Sequence, residues 1–179
     1  LLQALALAGL CLLSLGCDVV FVRPLVVPKE AVADKRLVGR WLVRAGKDEG
    51  YVTIKQSGHK LVVASVTAKG LKNKLMPEFY TFACNGQNFM VADYKATVKD
   101  KRYPGYMLVK YRLEGETLSL SLPHPAAFQA ALKEGKLHGT AGEAFDSTII
   151  TDPAQTVWQF LCAADEKSFT PLGKVQKAD

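Results

Sequence analysis

The stretch Leu37-Val38-Gly39-Arg40-Trp41-Leu42-Val43-Arg44-Ala45, followed by Tyr51-Val52-Thr53-Ile54-Lys55-Gln56 and Leu61-Val62-Val63-Ala64-Ser65-Val66-Thr67-Ala68, decides the fold class. These runs are rich in β-branched and aromatic residues and alternate at a period near two, which puts successive side chains on opposite faces of a strand. Gly46 to Gly50 and Ser57-Gly58 separate them at hairpin spacing, so the three predict an antiparallel meander. Downstream, Phe79 to Cys84 and Phe89 to Lys95 flank Asn85-Gly86, a dipeptide that favours a tight turn with positive φ. Tyr106 to Leu113 and Thr117 to Leu122 flank Glu114-Gly115-Glu116 in the same way, which brings the count to about seven strands, with one more near Thr148 to Thr151.

Helical signals come only late. Pro125 suits a first helical position ahead of Ala126 to Glu134, with Phe128 and Leu132 on one face and Gly135 as the stop. Asp152, Pro153 and Gln155 read as a capping box before Val157, Trp158, Phe160 and Leu161, which predicts a second helix to about Ala164. Strands first and helices after them argue for a mainly β protein, a small antiparallel β-barrel with about two short helices late in the chain.

The first residues, Leu1 to Cys17, form an uncharged leucine and alanine run that stops at Leu15-Gly16-Cys17. It is shorter than the roughly 20 residues of a membrane span, and Asp18 follows it where a basic stop-transfer flank would stand. It reads as an export leader whose start is truncated, because an initiating Met and a basic n-region are missing. Ser14 and Gly16 would also suit an ordinary signal peptidase, so cysteine parity separates the two kinds of processing. Cleavage before Cys17 removes Cys11, and a lipid on Cys17 then leaves Cys84 and Cys162 as an even pair in an oxidising compartment. The resulting layout is a lipoprotein-type signal peptide at 1–16, the lipid-attachment residue Cys17 with a tether over 17–34, and the barrel with its C-terminal helix over 35–179. In the tether, Pro24 and Pro28 break regular structure, and the apolar Val19 to Val22 and Leu25 to Val27 are expected on the barrel surface or near a bilayer interface.

Cys84 falls in a predicted strand and Cys162 in a predicted helix. Sequence alone leaves open whether they form a disulfide or serve as two small buried residues. No Cys-x-x-Cys spacing is present, and His59, His124 and His138 are not spaced with another His or a carboxylate as metal ligands on one element. Gly-x-Ser-x-Gly, a phosphate-cradling Gly loop and His-Glu-x-x-His are missing as well, so no catalytic residue, metal or cofactor is expected. The weaker enzymatic alternatives are a nucleophile site from Phe145-Asp146-Ser147 with His138, and Cys84 paired with a histidine.

The net charge of +6 is spread along the chain and reads as a solvated surface. Lys101-Arg102-Tyr103 and Lys110-Tyr111-Arg112 mimic a nucleic-acid patch, a partner that export excludes. Tyr80, Phe82, Phe89, Tyr94, Tyr103, Tyr106 and Tyr111 fall in or beside strands and are expected to pack the core before lining a pocket.

On Leu37-Val38-Gly39-Arg40-Trp41 the chain resembles the opening strand of lipocalin-like barrels, which carries a Gly two positions before a Trp. The resemblance implies structural roles for Gly39, which lets the chain bend against the barrel floor, and for Trp41, whose indole closes that end. More of the chain resembles a group of bacterial lipoproteins without assigned activity, which share a lipidated Cys, a Pro-containing tether and an Asp before a Leu-x-Gly-x-Trp strand. A small barrel and a capped helix near the C-terminus complete that layout. Asp34, Leu37, Gly39 and Trp41 match its first part and Asp152 to Leu161 its last. The chain departs from transport lipocalins because no Arg occurs after Arg112, so a late Arg stacking on the opening Trp is missing. The expected protein is non-enzymatic, sits in the bacterial cell envelope on an N-terminal lipid such as palmitate, and binds a small apolar ligand or an envelope protein. The alternatives are an envelope inhibitor or assembly factor acting through loops, or a hydrolase.

Overall fold

The computed structural model describes residues 19–25, 32–45, 48–68, 78–93, 105–141 and 148–178. Strands β1 (Val19–Phe21), β2 (Gly39–Ala45), β3 (Asp48–Ser57), β4 (Lys60–Ala68), β5 (Glu78–Cys84), β6 (Gln87–Asp93), β7 (Tyr106–Glu114) and β8 (Thr117–Pro123) lead to helix α1 (Pro125–Lys133). After it come β9 (Gly139–Ala141), β10 (Thr148–Ile150), helix α2 (Ala154–Ala163) and β11 (Phe169–Ala178). Strands β2 to β8 run as an antiparallel meander, and β11 closes the ring between β8 and β2. The product is a closed eight-stranded antiparallel barrel with two helices late in the chain.

Turn chemistry sets the hairpins. Asn85 and Gly86 both have positive φ, 48° and 75°, as a two-residue turn matched to strand twist requires. The β7–β8 turn uses Gly115 at φ 56°. Register slips at Thr53/Ile54 against β4 and at Pro171/Gly173 in β11 mark bulges, devices that bend a sheet toward closure.

Alternation along β6 separates two cores. Met90 and Ala92 point into the barrel, where they join Trp41, Val52, Ile54, Leu61, Val63, Leu118, Leu120 and Val175 in one apolar cluster. Phe89 and Val91 point outward and join Phe21, Leu25, Leu108, Phe128, Ile150, Val157, Trp158 and Leu161 in a second. The outer core is therefore a layer of helices and short strands laid on one side of the barrel. In it Trp158 stacks on Phe82 at 4.1 Å between ring centroids, and Phe128 meets Phe21 edge-on at 6.0 Å.

Residues 19–25 of the tether are built into this layer. β1 pairs in parallel with β10 and touches β7 at Phe21↔Tyr106. Gly105 makes that approach feasible, since a Cβ there would stand 2.4 Å from the Phe21 carbonyl oxygen. Leu25 is buried, and its carbonyl accepts the indole N–H of Trp158. Phe21 and Leu25 would each forfeit about 1.5–3 kcal/mol if left in water, which is why this segment lies down on the barrel instead of trailing from it.

Two further readings need correction. The structure has eleven strands among the described residues, and β11, β9 and β1 were not anticipated from the pattern. Asp152 does not cap α2: Pro153 holds the N-cap position without a side-chain hydrogen bond, and the Asp152 carboxylate turns instead to His138. Asp152 lies one position too early to cap, and its burial at 6 % exposure demands a donor, which the His138 backbone and ring supply.

Candidate functional site

A 3-10 turn, Lys35–Leu37, stands just before β2. Leu37 is fully buried, and its carbonyl accepts the indole N–H of Trp41 at 2.8 Å. Trp41 is itself fully buried within the apolar cluster inside the barrel. Gly39 has φ 138°, a conformation L side chains rarely adopt, and a Cβ there would meet Lys177 Cε at 3.1 Å. The space that Gly39 leaves lets the Lys177 stem pass, and its Nζ lies 5.8 Å from the centroid of the Trp41 ring. A lysine on the last strand thus stands over the ring of Trp41.

The turn is locked by Asp34. Its carboxylate accepts from Arg36 Nη2 at 2.7 Å and Nε at 2.9 Å, from the Arg36 backbone N–H at 3.1 Å, and from the Tyr111 hydroxyl at 2.7 Å. Burial works to raise the Asp34 pKa, but the Arg36 and Tyr111 hydrogen bonds outweigh it and hold the carboxyl below its ordinary range. The same contact raises the Arg36 pKa, while burial and then the Asp34 hydrogen bond push that of Tyr111 up, so its hydroxyl stays a donor. Asp34 N–H donates to Thr81 Oγ1 at 2.9 Å, and that hydroxyl donates to the Val32 carbonyl. These residues, with Lys35, Ala83 and Asn88, line an open groove of about 500 Å³ beside the exposed Val32. The groove offers polar contacts at its rim, and its one carboxylate is already engaged by three donor groups.

Cys84, at the end of β5, and Cys162, near the end of α2, form a disulfide with Cα atoms 5.6 Å apart. Around it the β5–β6 turn caps the helix: Asn85 Nδ2 donates to the Cys162 carbonyl at 3.1 Å and Gln87 Nε2 to the Ala164 carbonyl at 3.2 Å. The last carbonyls of α2, which have no partner within the helix, are satisfied by this turn. Cys84 consequently has no thiolate to offer, and its reading as a nucleophile fails.

His138 Nδ1 lies 2.8 Å from Asp152 Oδ1, with the imidazole 75 % exposed and the carboxylate buried. The pair joins the residue before β9 to the residues after β10, and Thr151 N–H donates to the His138 carbonyl at 2.9 Å. His59 sits in the β3–β4 turn, stacked on Tyr80 at 6.0 Å, and His124 stands immediately before α1. The three histidines lie on different elements. No group of three His, Cys, Asp or Glu side chains positioned for a metal occurs among the described residues.

The basic triplet of β7 is split by strand alternation. Lys110 points outward into the helical layer, ion-paired to Glu166 at 2.6 Å and 4.6 Å from the Phe169 ring centroid; Tyr111 points inward to Asp34; Arg112 pairs with Glu114. Lys101 to Tyr103, Tyr94, Phe145 to Ser147 and Cys17 with the whole leader lie outside the described residues. Sequence reasoning missed Asp34–Tyr111 and Lys110–Glu166, which are 77 and 56 residues apart. The one available signal was Asp34 just ahead of the Leu-x-Gly-x-Trp pattern.

Comparison with protein-family models, with curated proteins and with solved structures returned no match to this chain.

Proposed function

We propose that this is an exported binding protein of the bacterial cell envelope, lipid-anchored through Cys17, which takes a protein partner on its surface and carries out no catalysis. The observation that carries the reading is the apolar cluster inside the barrel, in which Leu37, Trp41, Ile54, Leu61, Leu118 and Leu120 are all buried. That packing favours surface recognition over the storage of a small apolar molecule, which remains the second option for a barrel of this form. The Cys84–Cys162 disulfide supports an oxidising compartment, and with those two residues paired, Cys17 is the cysteine left for an acyl chain once Cys11 departs with the leader.

Mass spectrometry of the protein isolated from native membranes tests both parts. The expected result is an acylated N-terminal Cys17 and no stoichiometric small molecule. A retained lipid-like ligand would restore the small-molecule reading. Cys17→Ser should release the mature protein from membranes, and sedimentation of that variant with membranes after a high-salt wash would refute the anchor.

A further inference from the structure

The described fold begins at β1, and β1 lies in one row with the outermost strand of the layer. Val19 stands opposite Thr148, and Thr148 stands opposite Ala141. Cys17 precedes Val19 by two residues, a distance that extended chain spans in at most about 7 Å. Val19 is buried at 6 % exposure and held by strand pairing, and in sequence one residue, Asp18, separates it from Cys17. A lipid on Cys17 would bring β1 and its neighbours in this row close to the membrane.

The surface beside that row is suited to the contact. All three residues of β9 are exposed, and none carries charge. Gln129 Nε2 donates to Thr148 Oγ1 at 3.3 Å, which ties α1 to the same row, and the outward side of α1 presents Ala126, Ala130 and Lys133. Within α1 and β9 themselves Lys133 is the one charged residue, and Glu134, just after α1, pairs with Lys136 at 2.6 Å. Small uncharged side chains with a lysine at the end of the helix can approach anionic headgroups without stripping water from a carboxylate of these two elements. The wall formed by β2 and β3, with Arg40, Arg44, Glu49 and Lys55 exposed, is on the other side of the barrel from β7, where β1 attaches.

We propose that the protein docks side-on to a phospholipid surface through β9 and the outward side of α1, which leaves the β2–β3 wall facing the envelope space; this rests on lipidation of Cys17. The disulfide occupies Cys84 and Cys162, and the lipid occupies Cys17, so Ala130→Cys or Thr140→Cys supplies the single reactive thiol. The lipidated protein carrying a fluorophore at either position is reconstituted into phosphatidylethanolamine and phosphatidylglycerol vesicles that contain a headgroup nitroxide. A Lys55→Cys variant, labelled on the exposed wall of β3, is the reference. Quenching at positions 130 and 140 should exceed that at 55 several-fold. Equal quenching at all three in protein that floats with the vesicles overturns the docking face and leaves the anchor standing. Protein that does not float refutes the anchor and takes the docking face with it.

Discussion

Removing the disulfide measures how far the helical layer depends on a covalent tie. Cys84 and Cys162 enclose 78 residues, for which the chain-entropy relation puts the stabilisation at about 4.5 kcal/mol through the unfolded state. The native layer should survive the loss. Trp158 remains stacked on Phe82, Asn85 and Gln87 still cap α2, and Leu25 still accepts from the Trp158 indole. The double variant Cys84→Ala/Cys162→Ala should therefore fold and keep the near-ultraviolet signature of a packed Trp158, yet unfold earlier. A loss of about 3–4.5 kcal/mol with a slope of ~2 kcal/mol per molar urea lowers the midpoint by roughly 2 M. Urea melts of the variant and the oxidised protein, followed by circular dichroism in the near and far ultraviolet, supply both numbers. A loss under about 1 kcal/mol would refute the argument that the bridge restrains the unfolded chain. Near-ultraviolet signal lost while the far-ultraviolet signal persists would show instead that the bridge, and not side-chain packing, holds α2 on the barrel.

Two further outcomes concern Asp34 and Trp41. Asp34 has a lowered folded pKa, so its contribution is complete above the unfolded carboxylate value of about 4 and is lost as pH falls through the folded one. Asp34→Asn should cost about 1–3 kcal/mol at pH 7, the worth of hydrogen bonds to a charged acceptor, and the gap to wild type should narrow as the pH falls through the lowered folded pKa; a gap that stays constant in acid melts would assign the loss to shape alone. Trp41→Ala empties a fully buried site and should cost about 3–5 kcal/mol in denaturant melts. A loss below about 1 kcal/mol would show that Trp41 does not close the barrel.

The sequence by itself determined the wall of the barrel. Seven of its strands alternate clearly enough to be read, because each has to bury one face, and Asn85-Gly86 and Gly115 carry the positive φ that their turns need. Gly39 and Trp41 were singled out by the resemblance of their motif and not by a local requirement; the structure gives Gly39 a positive φ and buries Trp41 fully. The tertiary structure alone decided closure. β11 contains Pro171 and Gly173, and over most of its length its side chains are exposed, so it has neither the propensity nor the alternation of a strand and exists because β8 and β2 offer it two free edges. The same holds for β1, whose three residues gain their place from Gly105 and β10, and for Asp34–Tyr111, His138–Asp152 and Cys84–Cys162. Local sequence reports what one segment requires of its surroundings. It does not report which distant segment meets the requirement, because that choice is made by packing the whole chain at once.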